Sequence, residues 1–252
     1  MEKYIRDVRA FCEFAAGRKM SKELMSNWKE LLQKNGYAPR SINSMLASMN
    51  SLLSFAGWND CRVKNIRTQR QIYCLAEKEL SKSEYMRLLM ATGTDYQLKL
   101  IMETICSTGI RVSELRHFTV EAIKQGQIEI SCKGKIRTVL LPSKLRKLLM
   151  SFARKSHIVS GPIFVNRKGM PLSRNSIWVR MKKLCQKAGV AAAKVFPHNL
   201  RKLFARTFYA MGKDIVKLAD VLGHSNIDTT RIYIMTTGSE HRRQLNRLDL
   251  IL

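Results

Sequence analysis

Apolar residues recur every three or four positions along the first 66 residues, the spacing typical of amphipathic helices. Ser21 stands where it would cap the second of these helices, which is predicted to end at Asn35-Gly36. Pro39 fits the first turn of a third helix that ends near Gly57, because proline is favoured at that position. Residues 1–66 are therefore predicted to form a small helical domain.

The helical periodicity weakens towards the end of the first domain, and a second domain begins after a linker. A shorter helix is expected around Cys61 to Ile66, and residues 67–78 show no regular pattern, which is typical of a linker. Ser81-Lys82-Ser83-Glu84 has the serine and glutamate spacing of a capping box, so a new helix is predicted to start there. We expect residues 79–252 to form the second domain.

The second domain combines helical periods with two strand-like runs. The runs are Gln127 to Cys132 and Ile136 to Leu141, which flank the turn Lys133-Gly134-Lys135. Ile163 to Val165 is expected to be another short strand. Further helices are predicted at about residues 96–107, 143–155, 173–188, 198–211, 214–222 and 239–248. The expected fold is mainly α with a small antiparallel β-sheet: a helical domain followed by an α+β domain.

The charge of the chain is strongly positive and unevenly distributed. Lys and Arg number 45 against 19 Asp and Glu, a net charge of +26. Residues 130–213 contain 20 Lys or Arg and no acidic residue. A surface that serves only solubility mixes both signs, so we interpret this tract as a face that contacts nucleic acid. A basic surface without function and an anionic membrane are the alternatives.

The sequence shows neither a membrane span nor a disulfide framework. No run of about 18 uncharged apolar residues occurs, the length that a spanning helix needs. Glu2, Asp7 and Glu13 interrupt the N-terminus where a signal peptide would be apolar. The six cysteines are scattered without a Cys-x-x-Cys pair, so neither a zinc ribbon nor a redox motif is predicted. We expect a cytoplasmic protein of bacterial type, associated with the nucleoid and without a membrane partner.

Three short segments contain the residues best suited to chemistry. In residues 107–115, Ser-Thr-Gly-Ile-Arg-Val-Ser-Glu-Leu, Arg111 follows a glycine that ends a predicted helix. In Pro-His-Asn-Leu-Arg, His198 and Arg201 are three residues apart and therefore share one face of a helix. The third segment, residues 222–233, contains His224 and Tyr233.

Two arginines, two histidines, a lysine in a turn and a tyrosine form a set suited to phosphoryl transfer without a metal. Arginine binds two phosphate oxygens at once, and a tyrosine hydroxyl can attack phosphorus to form a covalent ester. Lysine or histidine can protonate the departing oxygen. A metal site would need carboxylates beside the histidines. Asp220 and Asp228 are the candidates, and Asp228 is expected to cap the next helix instead.

These residues strongly resemble the motifs of the tyrosine recombinases, also called the phage integrase family. The resemblance rests on residues 107–115, 197–201 and 222–233, which match the three boxes of that family in order and spacing. The hairpin at residues 133–139 resembles its lysine turn, and residues 35–43 resemble its helical, SAM-like core-binding domain. The resemblance covers nearly the whole chain.

The resemblance implies a role for each matching residue. Tyr233 would be the nucleophile that forms a 3′-phosphotyrosine, while Arg111 and Arg201 would hold the scissile phosphate. Lys133 would protonate the departing 5′-oxygen. Lys135 is its alternative, because the turn is one residue shorter than is usual in the family.

Three further residues complete the implied site. His198 would act as acid and base on the tyrosine proton, and His224 would hydrogen-bond the phosphate. Glu114 would orient the first arginine of the site. Lys202 departs from the family pattern, in which histidine often follows the second arginine. The resemblance implies no metal and no other cofactor.

The function that follows is site-specific DNA recombination through a covalent intermediate and a Holliday junction, without metal or ATP. A DNA-binding protein of the same fold that no longer cuts DNA is the alternative, and a relaxing topoisomerase is a third, weaker one. The partner would be double-stranded DNA at short core sites. Because the helical domain begins close to Met1, we expect a simple, Xer-like recombinase without an arm-binding domain.

The end of the chain predicts self-association. Leu245, Leu248 and Leu250-Ile251-Leu252 form a dense apolar set for a chain terminus, where exposure is the rule. In the family such a tail docks on the next protomer, which implies a tetramer on DNA. Alternatively, the tail folds back over its own domain.

Overall fold

The computed structural model describes residues 2–67, 76–132 and 135–235, together with 242, 243, 246 and 247. By their contacts the residues divide into two compact units, Met1–Gln71 and Ile72–Leu252. The assignment of residues 1–66, 67–78 and 79–252 to a DNA-binding domain, a linker and a catalytic domain stays a prediction. Across the described ranges, every helix is too short or too polar to cross a bilayer.

The first unit is a bundle of three α-helices, α1 (Glu2–Ala15), α2 (Lys22–Lys34) and α3 (Pro39–Phe55). Ser21 caps α2 by accepting a hydrogen bond from the Leu24 N–H at 3.1 Å, and Pro39 occupies the first turn of α3. The core of the unit forms around Trp28, whose ring meets Phe11 edge to face. These helices agree with the periodicity of the sequence.

The helix expected at Cys61 to Ile66 is wrong, because the structure has only a 3-10 turn at Asn59–Cys61. The chain after this turn is held extended by two asparagines of α3. Asn50 exchanges hydrogen bonds with the backbone N–H and C=O of Val63, and Asn43 does the same with Ile66. These side chains satisfy backbone groups that a helix would have satisfied internally.

The second unit has eight α-helices and two strands among its described residues. In chain order they are α4 (Lys82–Ala91), α5 (Tyr96–Thr108), α6 (Val120–Gln125), β1 (Gln127–Cys132), β2 (Lys135–Leu140), α7 (Ser143–Lys155), α8 (Arg174–Ala188), α9 (Pro197–Gly212), α10 (Ile215–Leu222) and α11 (Ile227–Ile234). Short 3-10 turns lie at Ala76–Lys78, Val112–His117 and Ala192–Lys194.

The predicted fold class is confirmed: mainly helices, with one small antiparallel sheet. Strands β1 and β2 pair so that Ile130 faces Arg137 and Cys132 faces Lys135. Ser81 and Glu84 form the expected capping box at the start of α4. Most of the predicted tail helix at 239–248 lies outside the described residues.

The short strand expected at Ile163 to Val165 is wrong. This segment forms only isolated bridges, Thr119 with Pro162 and Val165 with Pro171. In each bridge the hydrogen bonds come from flanking residues, such as Ile163 N–H to the Phe118 carbonyl and Leu172 N–H to the Phe164 carbonyl, and neither bridge continues into a ladder. The apolar residues that predicted a strand are instead buried individually, with Phe164 stacked on Phe152.

Helix α5 lies in the middle of the second unit and is buried on several sides. Its buried residues include Leu98, Leu100, Ile101, Met102 and Ile105. It packs most extensively against α9 and ends at Gly109, whose φ of +66° lets the chain turn sharply. The turn places Arg111 beside the N-terminal half of α9, where His198 and Arg201 lie.

Candidate active site

The segment from α10 to α11 brings His224 and Tyr233 into one site. Gly223 ends α10 with a φ of +64°, and His224 follows directly. Asn226 then caps α11 by accepting from the Asp228 N–H at 2.7 Å. The expectation that Asp228 is this cap is wrong. Asp228 lies in the first turn of α11, where the helix dipole stabilises an acidic side chain.

Tyr233 lies at the end of α11 and is only 8% exposed. Its ring centroid is 5.2 Å from that of His198 and 5.1 Å from that of His224. The guanidinium carbon of Arg201 lies 5.8 Å from the same ring. The structure thus brings together four of the predicted site residues, and all four belong to the same unit of the same chain.

Arg201 is the most deeply buried member of this cluster, at 1% exposure. One terminal nitrogen donates to the Gly109 carbonyl, and the other donates to the Leu222 carbonyl at 2.8 Å. Its Nε has no hydrogen-bond partner within the described ranges. Burial first, and then the charge of Arg111, lower the pKa of Arg201 to about 10. The side chain therefore stays positively charged at neutral pH.

His224 is fixed between Arg201 and Thr230. Its Nε2 is 2.9 Å from a terminal nitrogen of Arg201, and its Nδ1 is 2.9 Å from the hydroxyl of the buried Thr230. Because a guanidinium can only donate, Nε2 must accept and Nδ1 must carry the hydrogen. Burial and then the neighbouring arginines lower the pKa of His224 to about 4. The ring is therefore neutral and accepts from Arg201 at neutral pH.

His198 occupies the first turn of α9, facing Tyr233. Burial is the largest cause that lowers its pKa, followed by the charges of Lys202 and Arg201. A histidine with a lowered pKa is unprotonated at neutral pH. It can then accept a proton, which is what a base acting on the Tyr233 hydroxyl needs.

Arg111 is held by Glu114 at the start of the turn Val112–His117. One Glu114 oxygen accepts from the Arg111 side chain at 3.0 Å, and the other accepts from the Arg111 backbone N–H at 2.7 Å. Arg137 of β2 forms a second ion pair with the same carboxylate. Burial raises the pKa of Glu114, but the hydrogen bond from Arg111 and the charge of Arg137 lower it below its usual value. Glu114 therefore stays ionised between two arginines.

Lys133, the predicted leaving-group acid, lies outside the described residues, as does Gly134. Lys135, its alternative, is the first residue of β2, where it pairs with Cys132. The choice between the two lysines stays a prediction. Across the described part of the chain, no group of three or more His, Cys, Asp or Glu side chains is arranged to hold a metal ion.

The back of α9 is tied to the segment that precedes α4. Lys202 and Arg206 both form ion pairs with Glu79, at 2.9 and 3.1 Å. The amide nitrogen of Asn199 donates to the backbone carbonyls of Lys78 and Lys194. These contacts attach the back of α9 to the segment before α4 and should stabilise the unit. They also give Lys202 a structural partner.

Sequence reasoning missed three residues that shape the site: Thr230, Arg137 and Glu79. Thr230 holds Nδ1 of His224 through its hydroxyl, and its position three residues before Tyr233 places it on the same face of α11. Arg137 lies two residues beyond Lys135, on the strand of the lysine turn. Glu79 gave no signal, because it precedes the capping box in a segment without periodicity.

The lowered pKa of His224 predicts that stability falls in mild acid. The unfolded chain protonates this histidine near pH 6.5, whereas the folded chain resists protonation down to about pH 4. Stability is therefore fully present above pH 6.5 and decreases as the pH falls towards 4. Thermal unfolding at pH 7 and pH 5 measures the decrease. His224→Gln keeps an acceptor for Arg201 without titrating, so its melting temperature should fall less.

His157→Asn, which replaces an exposed histidine, is the control and should retain the acid sensitivity of the native chain. An equal acid-induced loss in His224→Gln and the native chain would contradict the assignment of His224 as a buried neutral ring.

Comparisons with known proteins identify the family. The profile described as the phage integrase family matches residues 78–240. The tyrosine recombinase XerA of Thermococcus kodakarensis is 31% identical over 230 residues, which cover 87% of this chain and 79% of XerA.

Two solved structures share the fold. A XerH site-specific recombinase bound to difH substrate aligns with a TM-score of 0.67 at 20% identity, over 91% of this chain and 70% of that one. A lambda integrase dimer bound to a COC′ core site aligns with a TM-score of 0.72 at 15% identity, over 94% and 88%. The motifs, the fold and the matched profile, which spans more than half of the chain, together show that this protein belongs to the phage integrase family of tyrosine recombinases.

Proposed function

We propose that this protein is a site-specific DNA recombinase that cuts and rejoins strands through a 3′-phosphotyrosine, without metal or ATP. The observation that supports the proposal best is the packing of Tyr233 against His198, His224 and Arg201 within one unit. A tyrosine is about 0.1% ionised at neutral pH, so it needs a base and nearby cations to attack phosphorus. This site supplies both.

In the proposed cleavage step, the Tyr233 hydroxyl oxygen attacks the scissile phosphorus and the bond from phosphorus to the 5′-oxygen breaks. His198 accepts the tyrosine proton, and the hairpin lysine gives a proton to the departing 5′-oxygen. The products are a 3′-phosphotyrosyl ester and a free 5′-hydroxyl. In the joining step a 5′-hydroxyl from the partner duplex attacks the ester and releases Tyr233. One such exchange yields a Holliday junction, and a second resolves it.

The arginines stabilise the negative charge that develops on the phosphate in this step. Arg111 has a half-exposed side chain, 41% accessible, and is oriented by Glu114. Arg201 uses three of its five N–H groups on the Gly109 and Leu222 carbonyls and on His224, and its Nε N–H has no protein partner within the described ranges. Donors fixed in advance need no reorganisation during the reaction, which makes them effective. In this arrangement His224 accepts from Arg201 and orients it. His224 itself can donate to the phosphate only if its Nε2 carries a proton.

The proposed partner is double-stranded DNA carrying short core sites. The acid-free tract of residues 130–213 supplies positive charge on α7, α8 and α9 of the second unit. The first unit, residues 1–71, adds a net charge of +7. We propose that both units contact one duplex, and binding should then weaken steeply with salt as phosphate counterions are released.

Recombination between two copies of a site on one plasmid tests this function. The site is first selected from a random duplex pool by repeated binding to the protein. We expect rearranged plasmid in buffer containing EDTA and no ATP. Binding without any cleavage would instead identify a DNA-binding protein that does not cut, and relaxation without exchange would identify a topoisomerase.

We further propose that the tail assembles a tetramer on paired sites. Deleting residues 239–252 should leave binding to a single site nearly unchanged but abolish synapsis and recombination, because head-to-tail contacts close such rings. Gel-shift titration with one-site and two-site DNA measures both effects. Leu248→Asp, which keeps the chain length, should reproduce the deletion. If the shortened chain pairs two sites and recombines at the full rate, the tail only covers its own domain.

A further inference from the structure

Arg137 connects three parts of the site although it lies on a strand outside the three motifs. One terminal nitrogen pairs with the Glu114 carboxylate, which also holds Arg111. The other terminal nitrogen donates to the Val221 carbonyl at 2.7 Å, in the last turn of α10. Its side chain is only 15% exposed. Both terminal nitrogens of the Arg137 guanidinium are therefore bound.

The aliphatic part of Arg137 is held as closely as its charged end. It passes directly over Gly223, where an added Cβ would overlap the Arg137 Cδ and lie 2.9 Å from its Nε. A side chain at position 223 would displace the arginine. Gly223 therefore serves two purposes: its φ of +64° ends α10, and its lack of a side chain leaves room for Arg137.

The hairpin has few other attachments near its turn. Within the described residues β2 pairs only with β1. Ile136 and Leu140 of β2 are both 73% exposed, and Val139 is its one buried residue there. Arg137 is thus the described inward-facing side chain of β2 closest to the turn that contains Lys133. By contrast, Glu114 also bonds Arg111, and Val221 belongs to α10, so we expect both to keep those contacts when Arg137 is replaced.

We infer that Arg137 is a positioning residue that holds the hairpin lysine at the leaving-group oxygen. This inference rests on the proposed function and adds one residue to it. Arg137 joins β2 to the Glu114 carboxylate and to the end of α10, and we expect this attachment to let the turn lysine, Lys133 or Lys135, give its proton to the 5′-oxygen. Without Arg137, the two arginines that would bind the phosphate, Arg111 and Arg201, and the nucleophile Tyr233 remain. The turn lysine, however, no longer gives its proton to the 5′-oxygen efficiently.

A 5′-thiol leaving group separates this role from a general loss of structure. A thiolate leaves without a proton, so a substrate with sulfur at the 5′-position does not need the acid. We expect Arg137→Met to slow cleavage of the normal substrate about tenfold to a hundredfold, as partial loss of general acid catalysis would. On the 5′-thiol substrate its rate should be close to that of the native protein. Lys133→Ala and Lys135→Ala identify the acid and give the reference for full rescue.

Arg87→Met is the matched control. Arg87 lies on α4, outside the acid-free tract of residues 130–213, and its guanidinium donates to the backbone carbonyl of Gly189 at 3.3 Å, so the variant loses the same charge and a comparable bond elsewhere. It should cleave both substrates at native rates. Arg137→Lys, which keeps the charge and stem, should show a smaller defect with the same sulfur rescue, and it replaces Arg137→Met if that variant does not fold.

Equal slowing of the oxygen and sulfur substrates by the Arg137 variants would overturn the inference, as would native rates on both. Equal slowing would mean that Arg137 acts through Glu114 on Arg111, which would bind the phosphate. These results differ from failure of the proposed function, in which the native protein itself would form no covalent adduct on either substrate.

Discussion

Tyr233→Phe is expected to abolish the covalent protein–DNA adduct completely. The substitution removes the only atom that would attack phosphorus and leaves the ring that packs on His198 and His224. Because one hydroxyl is lost, stability should change by no more than about 1.5 kcal/mol. Affinity for a single site should also be nearly unchanged. A nicked suicide duplex, which traps the adduct when the short cut strand diffuses away, measures the loss on a denaturing gel.

Tyr209→Phe provides the matched control for this experiment. Tyr209 lies on α9 against the same small cluster of apolar residues, with the Lys213 ammonium 5.6 Å from its ring. It also loses one hydroxyl, but it should form adduct at the native rate. Adduct that persists in Tyr233→Phe would refute the assignment of the nucleophile.

Arg201→Ala should reduce cleavage about a thousandfold or more, because it removes a donor aimed at the charge that develops on phosphate. It should also destabilise the unit by about 2 to 4 kcal/mol, because the Gly109 and Leu222 carbonyls lose a charged donor. The 5′-thiol substrate should not rescue this variant, since the defect lies at the phosphate and not at the leaving group. Single-turnover cleavage and thermal unfolding measure the two effects.

Two companion variants separate stability from chemistry at Arg201. Arg201→Lys keeps the charge and should recover part of the stability but little of the rate, because an ammonium cannot reproduce the planar fork. Arg206→Ala removes another α9 guanidinium, the one paired with Glu79, and should reduce stability while cleavage of the folded protein stays near native. Full thiol rescue of Arg201→Ala would contradict its proposed role.

The helices and the hairpin could be predicted because their signals are local. The capping box at Ser81 and the glycine stop at Gly109 both appear where the sequence placed them. The proximity of the motifs followed only from the family resemblance. The short helix predicted at Cys61 to Ile66 does not form, because Asn43 and Asn50 of α3 hydrogen-bond to the backbone of this segment. No window of sequence contains both partners of such a contact.

The residues that support the site were harder to predict than the residues that perform chemistry. Arg137 resembles any other basic residue in an acid-free tract until its contacts with Glu114 and Val221 are known. Glu79 becomes informative only because it pairs with two cations of α9. Their importance comes from tertiary distances between segments far apart in the chain, which composition and periodicity do not encode.

Mapping the covalent bond on the native protein tests the central claim most directly. The adduct formed on a suicide duplex is digested with trypsin and nuclease, and the modified peptide is sequenced by mass spectrometry. Tyr233 is the only tyrosine of the tryptic peptide spanning residues 232–242. We predict that this peptide carries a nucleotide attached through its 3′-phosphate and that the released strand has a free 5′-hydroxyl. Attachment to any other residue, a 5′-phosphate linkage, or cleavage without an adduct would contradict the account.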